Sequence, residues 1–199
     1  MTAASKPSPS AAIDVASLKN TPVKDTTNDW RSRAVLGSAL FLLLAPGTVA
    51  FAAPHWIHRT SQPLAWLEAW PIRAAGAMLI LAGLLTLLDS FGRFAIEGLG
   101  TPAPIMPTQT LVVTGLYRHV RNPMYISVAG LIFGQALMWA DVSVLAYGAL
   151  VWLGFHLFVI LYEEPVLRRM FAREYAAFQS NVPRWIPRLS PWTPDNVSH

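Results

Sequence analysis

Between Ala34 and Ile57 the chain has no Asp, Glu, Lys or Arg, a run long enough to cross a hydrocarbon core of about 30 Å as a helix. In lipid a spanning segment must satisfy its own backbone amides, which leaves helices or a closed barrel. Three further apolar runs of helical length decide for helices: Pro71 to Phe91, whose strictly uncharged part between Arg73 and Asp89 is short, Asn122 to Ala140, and Val142 to Tyr162. Asp141 alone separates the last two, which predicts a tight helical hairpin. Pro46 and Gly47 are placed to kink the first run. With 53% hydrophobic and 13% charged residues, the chain has more apolar surface than one soluble core requires. The expected fold is all-α: a polytopic integral membrane protein of about four transmembrane helices plus a C-terminal interfacial helix.

The charges orient these spans. Five Lys and Arg precede the first run, Arg59 and Arg73 follow it, Arg93, Arg118 and Arg121 follow the second, none follows the third and five follow the fourth. The alternation puts both termini and the segment from about 92 to 121 in the cytoplasm, as in a bacterial inner-membrane protein. The net charge of +4 sits beside apolar runs, where anionic headgroups rather than nucleic acid would meet it. Residues 1–30, rich in Ser, Thr, Ala, Pro, Lys and Asp, read as a disordered tail, and their length ahead of the first apolar run argues against a cleaved signal peptide. The organisation expected is a tail (1–30), an N-terminal transmembrane hairpin (31–93) and a C-terminal functional region (94–199).

Cysteine is absent, which excludes disulfides and thiolate metal sites. His55 and His58, three apart, invite a metal reading, but with Trp56, Trp66 and Trp70 around them and no third ligand they fit an interfacial aromatic belt, and no metal site is expected.

From Phe94 the chain changes character. Several prolines and glycines precede a dense polar set, Tyr117, Arg118, His119, Arg121, Asn122 and Tyr125, with Pro123 at a first helical position. Irregular backbone beside a membrane must be buried in protein or line a wet cavity, so a pocket is expected here. The free amides of a helix start would suit an anionic group; alternatively Arg118 and Arg121 snorkel to lipid phosphates. Glu163 and Glu164, at the end of the fourth run, are costly to desolvate and need partners, for which Arg118, Arg121, Arg168 or a bound cation are available. Pro165 predicts a turn at Glu164 and a new helix beyond it. In that helix Leu167, Met170, Phe171, Tyr175 and Phe178 keep one apolar face over the pocket. The segment VPRWIPR at 182–188 reads as a headgroup anchor.

GLYRHVRNPMY at 115–125 and YEEPVLRRMFAREYAAFQSNVPRWIPR at 162–188, in this order and separated by one hairpin, resemble the isoprenylcysteine carboxyl methyltransferase and phospholipid methyltransferase superfamily over roughly residues 94–190. The resemblance implies S-adenosylmethionine as cofactor. It places the family's Arg-His-Pro-x-x-Tyr-like element on Arg121, Asn122, Pro123 and Tyr125 and its Glu-Glu pair on Glu163 and Glu164; Asn122 stands where many members have histidine. The cofactor site is then expected from Tyr117, Arg118, His119, Arg121, Asn122, Pro123, Tyr125, Glu163 and Glu164, with Glu164 or His119 serving the acceptor. The expected partners are membrane lipids and a lipophilic or lipid substrate that offers a carboxylate or an amine. The alternatives are a membrane reductase of the sterol-reductase type using NADPH and a non-enzymatic small membrane protein. Oligomeric state is unassigned.

Overall fold

Asp141 stops one apolar helix and starts the next. In the computed structural model, which describes residues 44–62, 64, 68–96 and 111–193, Ala140 takes a left-handed conformation (φ 55°) after Trp139, and the Asp141 Oδ1 accepts from the amides of Ser143 (2.9 Å) and Val144 (3.3 Å). A left-handed exit and an aspartate N-cap in consecutive residues make the expected hairpin.

The elements in chain order are a helical stretch at 44–47, a π-helical turn Thr48–Ala52, α1 (Ala53–His58), α2 (Trp70–Ile96), a 3₁₀ turn Gly115–Arg118, α3 (Pro123–Trp139), α4 (Val142–Phe158), a second π-turn Val159–Glu163 and α5 (Glu164–Asn181). Every regular element among the described residues is helical. Two of these helical stretches are long and apolar enough to cross a bilayer, Trp70–Arg93 and the continuous Val142–Asn181, while Pro123–Trp139 is a shorter apolar helix. Among the described residues these two meet the length and apolarity required; of the first expected span, 34–57, only the part from residue 44 is described. The tail at 1–30, Trp66 and the segment 97–110 lie outside the described residues.

α3 is the central helix. Val128, Leu131, Ile132 and Ala136 pack with Ala50, with Leu87 and Phe91 of α2 and with Val144 of α4. Glycines allow α2 and α3 their close approach: a Cβ on Gly76 would stand 2.7 Å from the Gly134 carbonyl, and one on Gly83 3.0 Å from that of Ser127. Small residues at such crossings let backbones meet, which replaces the hydrophobic drive that lipid cannot provide. Met78, Leu81, Leu88, Leu150, Leu153 and Leu161 point outward, as lipid-facing residues should.

The irregularity expected at Pro46–Gly47 follows directly after them as the first π-turn. Such a turn misaligns carbonyls, and partners from other helices satisfy them: Gln135 Nε2 donates to Ala50 O (2.6 Å) and Tyr147 Oη to Val49 O (3.0 Å). At the opposite side of the hairpin, His58 Nδ1 lies 2.8 Å from Asp141 Oδ2, Ser61 Oγ donates to the same oxygen, and the Leu64 amide donates to Ala140 O (2.9 Å). His58 stacks on Trp139 at 4.6 Å and His55 meets it edge-on. Both histidines therefore pack against the α3–α4 turn.

One expectation is corrected. The chain does not break at Glu164–Pro165, because the π-turn Val159–Glu163 carries α4 into α5 with helical dihedrals at both Glu163 and Glu164. A widened turn frees the carbonyl that the proline ring would strike and needs no amide from it. The kink comes later, at Ala172 (φ 14°, ψ −89°). Beyond it Tyr175, Phe178 and Val182 form a second core with Leu111, Val113, Leu167, Phe171 and Trp192, whereas Met170, expected on the same face, is exposed.

Candidate functional site

Two adjacent glutamates in one helical chain point to different neighbours, and that divides the site. Glu164 is 3% exposed. Its Oε1 accepts from Arg121 Nη1 (2.9 Å) and Arg184 Nε (2.6 Å), and its Oε2 from Arg184 Nη2 (3.1 Å), Gln179 Nε2 (3.2 Å) and Arg168 Nη2 (3.4 Å). Three guanidiniums and an amide saturate both oxygens, which offsets the cost of burying the charge. Glu163 receives a single hydrogen bond among the described residues, from Tyr125 Oη at 2.8 Å. Around that pair stand Phe155, with ring centroid 4.9 Å from that of Tyr125, and Phe158 at 6.5 Å. A carboxylate among aromatic rings suits a cationic group.

The segment 118–122 is bound along its length by the chain beyond α5. Arg121 N donates to Pro183 O (2.9 Å), Arg188 N to His119 O (3.0 Å) and Trp192 N to Arg118 O (2.9 Å). Side chains repeat the pattern. Arg118 Nε donates to Trp192 O (2.7 Å) and its Nη2 to Thr193 Oγ1 (2.6 Å), His119 Nδ1 donates to Arg188 O (2.8 Å), and Asn122 Nδ2 donates to Arg184 O (3.2 Å). Residues 182–193 thus form a strap over the polar segment, anchored on α4 where Trp185 Nε1 donates to His156 Nδ1 (3.0 Å). Its headgroup-anchor reading missed this role. Main-chain pairing of an irregular segment leaves no mark in sequence, although the unpaired glutamates already called for cations, and Arg184 is one.

A cavity of about 540 Å³ opens between the end of α2 and the 3₁₀ turn, lined by Leu85, Thr86, Asp89, Arg93, Gly115, Leu116, Arg118, His119 and Pro191. Of the expected site residues, Arg118 and His119 reach it. Gly115 has φ +51°, a conformation that favours glycine, and a Cβ there would displace the Arg93 guanidinium. Arg93 Nε also donates to Asp89 Oδ2 at 2.9 Å, with Arg93 29% and Asp89 38% exposed. Pairs this exposed contribute roughly 0–1 kcal/mol, so this one can be rearranged at little cost.

Tyr117 lies buried within electrostatic reach of Glu163, Asp89 and Arg93. Burial first, then the Glu163 and Asp89 carboxylates, hold its phenol well above the usual range; it stays a neutral donor at any working pH. Tyr117 thus feels both the Glu163 carboxylate and the Asp89–Arg93 pair of the cavity wall. Pro123 is buried at the first turn of α3, with Asn122 as its cap residue.

The elements that build this site also carry the likeness to known proteins. Residues 72–174, more than half of the chain, match the family model for phospholipid methyltransferases. This chain belongs to the phospholipid methyltransferase family. As a family member in the isoprenylcysteine carboxyl and phospholipid methyltransferase superfamily, with two apolar helices of spanning length, it is a membrane methyltransferase. The match starts in α2, ahead of the motif at 115–125, so the helix bearing Asp89 and Arg93 is inside it and the strap is outside. No curated protein and no solved structure matches the chain.

Proposed function

We propose that this family member transfers a methyl group from S-adenosylmethionine to a lipophilic acceptor, a carboxylate or amine of a lipid-like molecule, at the cytoplasmic face of a bacterial inner membrane, with both termini in the cytoplasm. The observation that carries the reading is the cavity beside Arg118 and His119. Its volume suits a nucleoside with an amino-acid tail. Its walls supply cations and a carboxylate, and Gly115 makes room for the Arg93 guanidinium at the wall. Arg121 adds a buried Nε with no hydrogen-bond partner among the described residues, a donor still available on that side of the Glu164 cluster. When bound, the cofactor supplies an electrophilic methyl group.

The chain's own residues then divide the work. Glu163, held by Tyr125, whose ring packs with Phe155 and Phe158, attracts positive charge toward these aromatic faces. Tyr117 donates a hydrogen bond from a phenol that burial keeps protonated. Glu164 holds Arg121, Arg168 and Arg184 in place and acts as a positioning residue; an acceptor-side role would require it to give up one of those donors. His119 is the better base. With its Nδ1 hydrogen donated to Arg188 O, the neutral ring leaves a lone pair on Nε2, the atom able to take a proton from an amine acceptor. Alignment of acceptor and donor supplies much of the acceleration. The acceptor arrives from the bilayer between helices.

Incubation of the purified chain with a membrane lipid extract and methyl-labelled S-adenosylmethionine, followed by mass spectrometry, tests the reading. Label in a lipid-soluble product is expected. Absence of any labelled lipid together with absence of cofactor binding would overturn it. Turnover by His119→Gln checks the base: kcat with an amine acceptor is expected to fall by more than cofactor affinity does.

A further inference from the structure

Two charged residues of α2 stand outside the motif segments yet line the cavity. Asp89 and Arg93 are one helical turn apart and share a face with Leu85 and Thr86. We infer that they are the clasp for the amino-acid end of the cofactor, Arg93 pairing its α-carboxylate and Asp89 its α-ammonium, an inference that rests on the S-adenosylmethionine reading above.

A free α-amino acid group carries both signs within one small zwitterion, so its receptor needs a cation and a carboxylate side by side at a wet wall. Glu164, Arg184 and Arg118 are committed within the protein. Both Glu164 oxygens are saturated, Arg184 is engaged with Glu164, and Arg118 donates from Nε and Nη2 to the strap. Asp89 and Arg93 pair with each other at a partly exposed wall, and a zwitterion can insert into such a pair and leave each charge with an opposite neighbour.

The position of Arg93 is fixed independently of Asp89. Its guanidinium packs on the bare Cα of Gly115, and Nη1 lies 3.4 Å from Thr114 Oγ1. The left-handed glycine of the motif thus holds an α2 arginine against the cavity wall.

The test is equilibrium binding of two ligands to the purified full-length chain in detergent. S-adenosylhomocysteine carries the amino-acid end, and methylthioadenosine lacks it. In Asp89→Asn and in Arg93→Gln, S-adenosylhomocysteine is expected to weaken by about tenfold or more, as for loss of a charged hydrogen bond, while methylthioadenosine stays within about twofold of wild type. Retained methylthioadenosine binding also shows that the variant is folded, and Arg93→Lys should recover part of the loss. Unchanged S-adenosylhomocysteine affinity in both variants, or parallel weakening of both ligands, would overturn the clasp. Failure of wild type to bind either ligand would instead remove the cofactor reading itself.

Discussion

Arg184 clamps Glu164 from 20 residues further along the chain, with Nε 2.6 Å from Oε1 and Nη2 3.1 Å from Oε2. This bidentate contact, together with Trp185 on His156 and the Pro183 carbonyl on the Arg121 amide, joins the strap to both sides of the site. A guanidinium matches a carboxylate in this geometry as an ammonium does not.

Breaking the clamp should therefore cost stability first. Arg184 is partly exposed and Glu164 keeps two other guanidiniums, so Arg184→Ala is expected to lose about 1–2 kcal/mol, below the range for a fully buried pair. Glu164→Gln leaves Arg121, 9% exposed, without its counter-charge and should lose about 3–5 kcal/mol. Thermal unfolding in detergent ranks the two variants, and Arg184→Lys should recover part of the first loss. A Glu164→Gln protein as stable as wild type would contradict the structural assignment of this carboxylate.

The neighbouring glutamate should behave in the opposite way. Glu163 has Tyr125 as its hydrogen-bond partner, so Glu163→Gln and Tyr125→Phe are expected to change stability by about 1 kcal/mol or less. Cofactor affinity should fall about tenfold in Glu163→Gln, the amount for one charged contact. Parallel titration and melting curves separate the two effects.

Acid should loosen the far side of the hairpin. Burial raises the Asp141 carboxyl, but hydrogen bonds from Ser61, His58 and the Val144 and Ser143 amides outweigh it and hold the group below the ordinary aspartate value. A depressed folded-state value means that the stabilisation is complete above the unfolded value, about 3.9. It is lost as pH falls through the folded one. The unfolding midpoint should drop with acidification in wild type, and Asp141→Asn should flatten that limb while lowering stability at neutral pH by about 1–2 kcal/mol through the weaker cap.

A side chain at the α2–α3 crossing should push the helices apart. Gly76→Val places atoms against the Gly134 carbonyl, which cannot rotate away, and overpacking of this kind costs about 1–3 kcal/mol. Because α2 carries Asp89 and Arg93, S-adenosylhomocysteine affinity should fall along with the melting temperature. Gly92→Val, where a Cβ meets nothing within 4 Å among the described residues, is the matched control for both measurements.

Much of the helix layout was legible because charge interrupts apolar runs sharply. Asp141 marked the α3–α4 turn to the residue, and Pro123 with Asn122 marked the start of α3. The partners of Glu164 were half legible: the need for cations followed from burial, and Arg121 and Arg168 are among those found. Arg184 was not, because it approaches through an irregular strap whose register is set by carbonyls and amides common to every residue type. Asp89 and Arg93 read as span-boundary charges until the cavity placed them beside Gly115. The break expected at Pro165 failed for a local reason, since a π-turn has no compositional signature and it alone makes a proline tolerable there.

The second π-turn also sets the angular phase of everything after it. Deleting one residue from Val159–Glu163 would regularise the helix and rotate each later side chain by roughly 100° about the axis. Glu164 would swing away from Arg121, and α5 would present a different stripe to the rest of the molecule. Length in this short stretch is therefore under tighter constraint than the identity of its outward-facing side chains, such as Leu161. Substitutions there should be tolerated where insertions and deletions are not.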